Sequence, residues 1–316
     1  MTRIKAVLGI DTSNYTTSVS LITLDEGLPI GNYKTLLSVK EGERGLRQSD
    51  AVFSHVKNLP SLMDKVREKT SEYEIIAVGV SERPRNVEGS YMPCFLSGVS
   101  VAEGIAASLC VPIYRFSHQC GHVMAAIASS GRFDFLDGRE FAAFHVSGGT
   151  TEMLKTRYEG SAFVSEIVGE SSDLNAGQVI DRVGVMMGLP FPSGAYLEAL
   201  ALENTKKIPT RKPVIKDFKI SLSGLENMAD KIYRETSDKP LVAAFTLDYV
   251  GKALLLLASS YEERYGKSEF LFAGGVMRNS IIKGMLSNAF DSSFAEPEFS
   301  SDNAVGVAHL ARQKML

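Results

Sequence analysis

Apolar positions along this chain recur at strand spacing in some stretches and at helix spacing in others, and their alternation predicts a mixed α/β protein. Residues 6–10 form a continuous apolar run and residues 17–23 a β-branched alternating one. With the polar turn Asp11-Thr12-Ser13-Asn14-Tyr15-Thr16 between them they predict a hairpin with an acidic tip. Residues 49–69 place Val52, Val56, Leu59, Leu62, Met63 and Val66 on one stripe, a helix that Pro60 is expected to kink. A strand at 75–80, a small-residue helix at 96–109 and a strand at 111–116 follow. The second half opens in the same way, with a strand at 141–146, the tight turn Ser147-Gly148-Gly149-Thr150 and a returning strand at 151–156. Helices are predicted at 175–187, 193–203, 223–235 and 241–265, then a strand at 270–273, a helix from 278 after Gly274-Gly275, and a closing helix at 304–314.

The Asp-Thr-Ser and Thr-Thr of the first hairpin are echoed by Ser-Gly-Gly-Thr-Thr in the second, which reads as an old duplication. Two lobes are therefore expected, 1–112 and 113–316, the second with a helical insertion and a last helix packing back on the first. Because no Gly/Ser-rich or Pro-rich linker divides them, they are expected to enclose a cleft.

Composition narrows this picture. At 316 residues and 44% hydrophobic content the chain can bury two ordinary cores. A net charge of −3 excludes a general polyanion binder and leaves only a local basic face for nucleic acid. Three cysteines without CxxC spacing fit a reducing cytoplasm. The apolar run near the N-terminus is too short for a signal peptide, and no run reads as a membrane span. A cytoplasmic protein without membrane attachment is expected, with homodimer and heterodimer both open.

Candidate chemistry begins at His118-Gln119-Cys120-Gly121-His122, where two of the five histidines are spaced to point the same way from one helical turn. Two converging imidazoles make half of a divalent metal site, and Asp302 in Ser301-Asp302-Asn303 is the candidate for another ligand. A solvated or core-edge histidine pair is the competing reading. Gln119 stands where an HExxH protease carries its glutamate, which disfavours that hydrolytic route. Gly148-Gly149 can admit an anion to the backbone or simply turn a hairpin. Gly274-Gly275 lies between a strand and a helix without Walker A or GxGxxG residues, so P-loop and Rossmann chemistry are disfavoured. Asp173 reads as a helix cap, and Asp181 as either a solvated carboxylate or a grip on substrate hydroxyls. Lys206, Lys207, Arg211, Lys212, Lys216 and Lys219 crowd one Pro-containing loop with only Asp217 between them, a solvated loop or a seat for phosphates.

Taken in order, these elements resemble the TsaD family of tRNA threonylcarbamoyl transferases. The resemblance rests on Leu8-Gly9-Ile10-Asp11-Thr12-Ser13, His118-x-x-x-His122, Val146-Ser147-Gly148-Gly149, Ala176-Gly177 to Asp181, Gly188-Leu189-Pro190 with Pro192-Ser193-Gly194, Ser221 to Leu225, Ala273 to Val276 with Asn279, and Ser301 to Ala304. It runs almost end to end and implies the superfold of actin, sugar kinases and Hsp70, two RNase H-like α/β lobes with an interlobe cleft. It implies that His118, His122 and Asp302 bind one divalent metal, iron foremost, with zinc or magnesium as alternatives. It further implies that His145, Val146, Ser147, Gly148, Gly149, Asp181, Gly194 and Asn279 line a site for an adenylate or an ATP/AMP-like ligand, and that Asp11 holds the place of a catalytic acid. The implied reaction moves a threonylcarbamoyl group from its adenylate to N6 of adenosine 37 in tRNA, with TsaB-like and TsaE-like protein partners. Such a mixed anhydride is already activated, so no covalent nucleophile is needed. Three departures stand out. The first turn keeps one acid where the family usually has three, residues 82–91 replace an expected Gly-Pro-Gly loop, and Gly149-Thr150-Thr151 lacks the family's histidine. They leave open a divergent paralogue with another acceptor, a non-catalytic nucleotide-binding assembly subunit, or a sugar-kinase-like phosphotransferase.

Overall fold

A computed structural model describes residues 3–38, 46–296, 298–299 and 304–316. The chain forms two compact units. The first comprises Met1–Gly138, Tyr158–Val164 and Glu298–Leu316, the second Arg139–Arg157 and Ser165–Pro297. The helix carrying the two histidines belongs to the first unit.

In the first unit, β1 (Ile4–Thr12), β2 (Thr16–Thr23) and β3 (Pro29–Leu36) form an antiparallel meander, followed by α1 (Gln48–Arg67), β4 (Tyr73–Arg83), α2 (Phe95–Leu109), β5 (Ile113–Ser117) and α3 (His118–Ser130). The sheet order is β3-β2-β1-β4-β5, with β4 parallel to both β1 and β5. The second unit repeats this plan. It runs through β6 (Glu140–Val146), β7 (Thr151–Glu159), β8 (Ala162–Ser171), α4 (Ala176–Met186), α5 (Gly194–Leu202), β9 (Val214–Lys216), β10 (Lys219–Ser221), α6 (Ser223–Thr236), α7 (Lys239–Tyr265), β11 (Phe270–Ala273), α8 (Ser280–Ala289) and β12 (Ser292–Phe294). Its sheet order is β12-β11-β6-β7-β8-β10-β9, so β8-β7-β6-β11-β12 matches β3-β2-β1-β4-β5 strand for strand. The echo between the two hairpins in the sequence is thus an echo of topology. The last helix, α9 (Val305–Gln313), belongs to the first unit.

Several sequence expectations change once packing is seen. Asp11 is not at an exposed hairpin tip; it pairs with Ser18 inside the ladder and is 1% exposed. On α1 the buried stripe is Ala51, His55, Leu59, Leu62 and Val66, while Val56 faces out. A histidine can take the core place because its Nδ1 lies 2.8 Å from Thr17 Oγ1. The helix is continuous through Pro60. Strand β8 lies where the sequence pattern predicts no element, and the β9–β10 hairpin lies in a stretch expected as a loop, since sheet pairing overrides weak local pattern there. Asp173 is more than a helix cap. Its Oδ1 accepts from Leu174 N and Leu222 N, and its Oδ2 from the Ser221 and Ser223 hydroxyls at 2.7 Å each, tying the β8–α4 turn to the start of α6. Burial raises that carboxyl's pKa, but the four donors outweigh it and hold the group well below the ordinary carboxylate range.

Helix α7 corrects another expectation, for its 27 residues are long and apolar enough to cross a membrane. Its apolar side chains are spent on the second unit's core, where Leu241, Phe245, Tyr249, Val250, Leu254, Leu257 and Tyr261 are all buried. The apolar window is 78% buried.

Helix α9 covers the face of the first sheet opposite α1 and α2. It lies so close that a Cβ on Gly9 would sit 2.3 Å from Ala304 O, and one on Gly79 2.3 Å from Val307 O. His309, on this helix, is 3% exposed, stacks obliquely on Phe133 and keeps a buried Nδ1 without a hydrogen bond. Burial first, and the Arg312 charge second, push its pKa down to about 4. The unfolded chain therefore binds this proton more readily than the folded one. The associated stability is complete above about pH 6.5 and is lost as pH falls toward about 4, to a total of about 3 kcal/mol. Stability from urea unfolding should fall more steeply across that window in wild type than in His309→Leu; parallel pH profiles would remove this account.

Candidate functional site

In the first unit, Ser117 ends β5 in extended conformation and its hydroxyl accepts the Cys120 N–H, capping α3. His118 is thereby the first residue of the helix and His122 sits one turn on. Their Nε2 atoms are 2.9 Å apart, with the rings edge to face at 4.3 Å between centroids. Phe95 backs the His118 ring at 5.9 Å. His118 Nδ1 lies 2.9 Å from Asp11 Oδ1, so the buried carboxylate accepts Nδ1–H and leaves Nε2 with its lone pair. The second Asp11 oxygen, Oδ2, is buried without a hydrogen bond. Two ring nitrogens within hydrogen-bond distance of each other, one of them oriented from behind by a carboxylate, are a donor pair that suits a divalent ion. Among the described residues no third His, Cys, Asp or Glu joins them. Asp302 lies outside the described residues.

Neither nearby thiol suits nucleophilic attack. Burial, then the Asp11 charge, pushes Cys94 up to about 11, and burial raises Cys120, whose Sγ receives the Asn86 amide.

The second unit holds a cavity of about 510 Å³. Gly148, Asp181, Gly194 and Asn279, expected from the sequence, line it together with Gly177, Glu198, Gly275 and Arg278. Each of the four expected residues comes from a different turn or helix. Gly148 follows β6, where Ser147 Oγ accepts the N–H groups of Gly149 and Thr150 and Ser147 N donates to Thr150 O, a turn that sets Gly148 in the cavity wall. Asp181 lies on α4; its Oδ1 accepts the Ser193 N–H at 2.7 Å, and its other oxygen has no partner among the described residues. Burial pushes its carboxyl above the ordinary range, with the Ser193 bond drawing it partly back. Asn279 caps α8, accepting the Ile282 N–H at 3.0 Å, and is 7% exposed.

Close backbone approach makes this cavity possible. Gly274 has φ +104°, and a Cβ there would lie 2.2 Å from Val146 O, so β11 and β6 can converge only with glycine at that corner. Of the other expected residues, Val146 is buried in the sheet, Ser147 and Gly149 shape the turn, and His145 sits on β6; none of the four lines the cavity. Glu198 and Arg278 are not singled out by sequence alone. Glu198 stands one helical turn after Gly194, the spacing that could have flagged it, and its Oε1 accepts from Ser280 N and Oγ at the start of α8. A neighbouring cavity of about 670 Å³ shares Gly148 and Asp181 and adds Gln178, Arg182, Met186 and Phe191.

Residues 38–309 match the family model described as "TsaD: tRNA N6-adenosine threonylcarbamoyltransferase", a range that holds both histidines and every cavity residue but begins after Asp11. The enzyme of that name from Buchnera aphidicola subsp. Schizaphis graminum is 27% identical over 318 residues, covering 96% of this chain and 91% of the relative. The Enterococcus faecalis enzyme is 29% identical over 300 residues, covering 90% and 81%. Among solved structures, full-length HypF in phosphate- and nucleotide-bound form aligns with a TM-score of 0.60 at 11% identity, over 99% of this chain and 56% of that one. A ROK family glucokinase from Streptomyces griseus aligns with a TM-score of 0.55 at 11% identity, over 98% and 99%. At such identities these two speak for the fold alone.

Proposed function

From the premise that this chain belongs to the TsaD family of tRNA N6-adenosine threonylcarbamoyltransferases, a family of acyltransferases, we propose that it moves a threonylcarbamoyl group from threonylcarbamoyl-AMP to N6 of adenosine 37 in tRNA. The observation that carries the reading is the convergence of Gly148, Asp181, Gly194 and Asn279, from four separate places in the chain, on one cavity of nucleotide size. In it the unpartnered Asp181 oxygen would accept a ribose hydroxyl, and the Gly148 amide would approach the phosphate. Arg278, exposed at the cavity and without an ion pair among the described residues, would offset the phosphate charge.

The chemical step is an acyl transfer. The N6 lone pair attacks the carbamoyl carbon of the mixed anhydride, the bond from that carbon to the phosphate oxygen breaks, AMP departs and N6 loses a proton. No enzyme-bound acyl intermediate is required, in keeping with the raised thiols of Cys94 and Cys120. A divalent ion, iron foremost, held by His118 and His122 with Asp302 as a further ligand, would supply Lewis-acid polarisation of the acyl oxygen. Asp11 acts in this reading as a positioning residue, fixing the His118 tautomer from a buried place and not itself reaching substrate.

The direct test combines purified protein, threonylcarbamoyl-AMP, unmodified tRNA and the TsaB-like and TsaE-like partners expected of the family. Nucleoside mass analysis should detect N6-threonylcarbamoyladenosine; unmodified tRNA with every component present would overturn the reading. Asp181→Asn keeps an acceptor for Ser193 N–H but gives up the charge, and should weaken AMP binding roughly tenfold by calorimetry. Because the Asp181 carboxyl is raised, AMP affinity in wild type should begin to fall on acidification at a pH above the usual carboxylate range. The Asn variant should lose that dependence, and an unchanged pH profile would separate Asp181 from the ligand.

A further inference from the structure

We infer that the β9–β10 edge hairpin and the segment leading into it form a docking surface for the phosphate backbone of RNA. The choice of RNA as occupant rests on the proposed transferase reading; the polyanion site itself rests on charge and geometry. Six cations fall between Lys206 and Lys219, with Asp217 the only acid, in a chain whose net charge is −3. Two of them are neutralised, Lys206 by Asp238 and Lys219 by Glu170, each at 2.6 Å. Lys207, Arg211, Lys212 and Lys216 are exposed and have no carboxylate partner among the described residues.

The backbone fixes where these charges stand. β9 is the outer strand of its sheet and pairs with β10 so that Lys216 lies directly opposite Lys219. Glu170 offsets the Lys219 charge, so Lys216 is the member of this cross-strand pair left for an outside anion. The two-residue turn between them, Asp217-Phe218, has φ +51° and +58°, left-handed at both positions. Phe218 is held there by the Arg264 guanidinium at 5.5 Å and the Tyr265 ring at 6.3 Å, so both lysines project from an anchored hairpin. Pro209 and Pro213 bracket Arg211 and Lys212 and limit the freedom of that stretch. One lysine on an edge strand suffices to discourage sheet-to-sheet pairing; three further cations without a carboxylate partner among the described residues, in the segment leading into that strand, exceed this need. Their clustering in one short exposed segment suits phosphates, which are read by charge and without base specificity.

The test measures binding of unmodified tRNA transcript to the full chain between roughly 50 and 200 mM salt. The triple variant R211E/K212E/K216E should bind at least about tenfold more weakly and show a salt slope shallower by about 2 to 3, with the corresponding triple alanine variant between it and wild type. Thermal unfolding and AMP binding to the second-unit cavity should be unchanged, which separates lost docking from lost folding. Equal affinity and slope in the variant would overturn the inference, as would absence of RNA binding in wild type or a preference for phosphatidylglycerol vesicles over RNA. If wild type binds RNA through these residues yet forms no threonylcarbamoyladenosine, the transferase reading fails and the docking surface stands. Modification that proceeds equally well in the charge-reversed variant, with equal RNA affinity, removes the docking surface and leaves the transferase reading in place.

Discussion

Under the proposed function, His118→Ala is expected to abolish stoichiometric binding of a divalent metal and to lower threonylcarbamoyl transfer roughly 10²- to 10³-fold. Loss of several kcal/mol of Lewis-acid stabilisation corresponds to that range. Asp11→Ala tests the same centre from behind. Without the carboxylate at 2.9 Å the His118 ring can turn and take either tautomer, so metal affinity should fall about 10- to 100-fold while the ligand atoms remain. Asp11→Asn still presents an oxygen to Nδ1–H and should fall between wild type and Asp11→Ala. Elemental analysis and activity read the series together. A His118→Ala protein that keeps its metal would move the centre elsewhere, and an Asp11→Ala protein indistinguishable from wild type would strip Asp11 of its orienting role.

A second large effect is expected at Gly306, where α9 crosses α3. A Cβ on Gly306 would lie 1.8 Å from Gly121 O and 3.0 Å from Ala125 N, backbone atoms of the helix that carries both histidines. The helices can make room only by moving apart. Alanine normally favours a helix over glycine by about 1 kcal/mol, yet here the strain should dominate and Gly306→Ala should destabilise by about 1–3 kcal/mol. Gly104, on α2, supplies the opposite case, since nothing lies within 4 Å of its would-be Cβ. Gly104→Ala should therefore stabilise by about 0.5–1 kcal/mol. Denaturant midpoints for the pair decide the matter: a stabilising Gly306→Ala would mean that α9 is not seated as described. Displacement of α3 should also loosen the imidazole pair, so Gly306→Ala should lose metal affinity where Gly104→Ala does not.

The stability of the two sites has different roots. The imidazole pair hangs on one helix N-terminus and one buried carboxylate, and both depend on α9 lying against Gly9, Gly79 and Gly121. The second-unit cavity is pinned by hydrogen bonds between turns, Ser193 to Asp181 and Ser280 to Glu198 among them. Changes on the face of α9 toward the sheet should therefore reach the histidines first, with little direct effect on the second-unit cavity.

By itself the sequence determined the alternation of strands and helices, the duplicated hairpin and the one-turn spacing of His118 and His122, because periodicity and local spacing are written directly into the order of residues. It also pointed to Gly148, Asp181, Gly194 and Asn279, though not to their meeting in one cavity. Only the tertiary structure decided that Asp11 is a buried orienter and not an exposed tip, that His55 displaces Val56 from the α1 core face, and that apolar α7 is an internal helix. It alone revealed Glu198 at the α8 N-terminus and the α9 contact that sets α3 in place. Each of these depends on which distant segment supplies the opposite surface. Burial, hydrogen-bond partnership and steric clearance are properties of pairs of segments, and a one-dimensional pattern carries only one member of each pair.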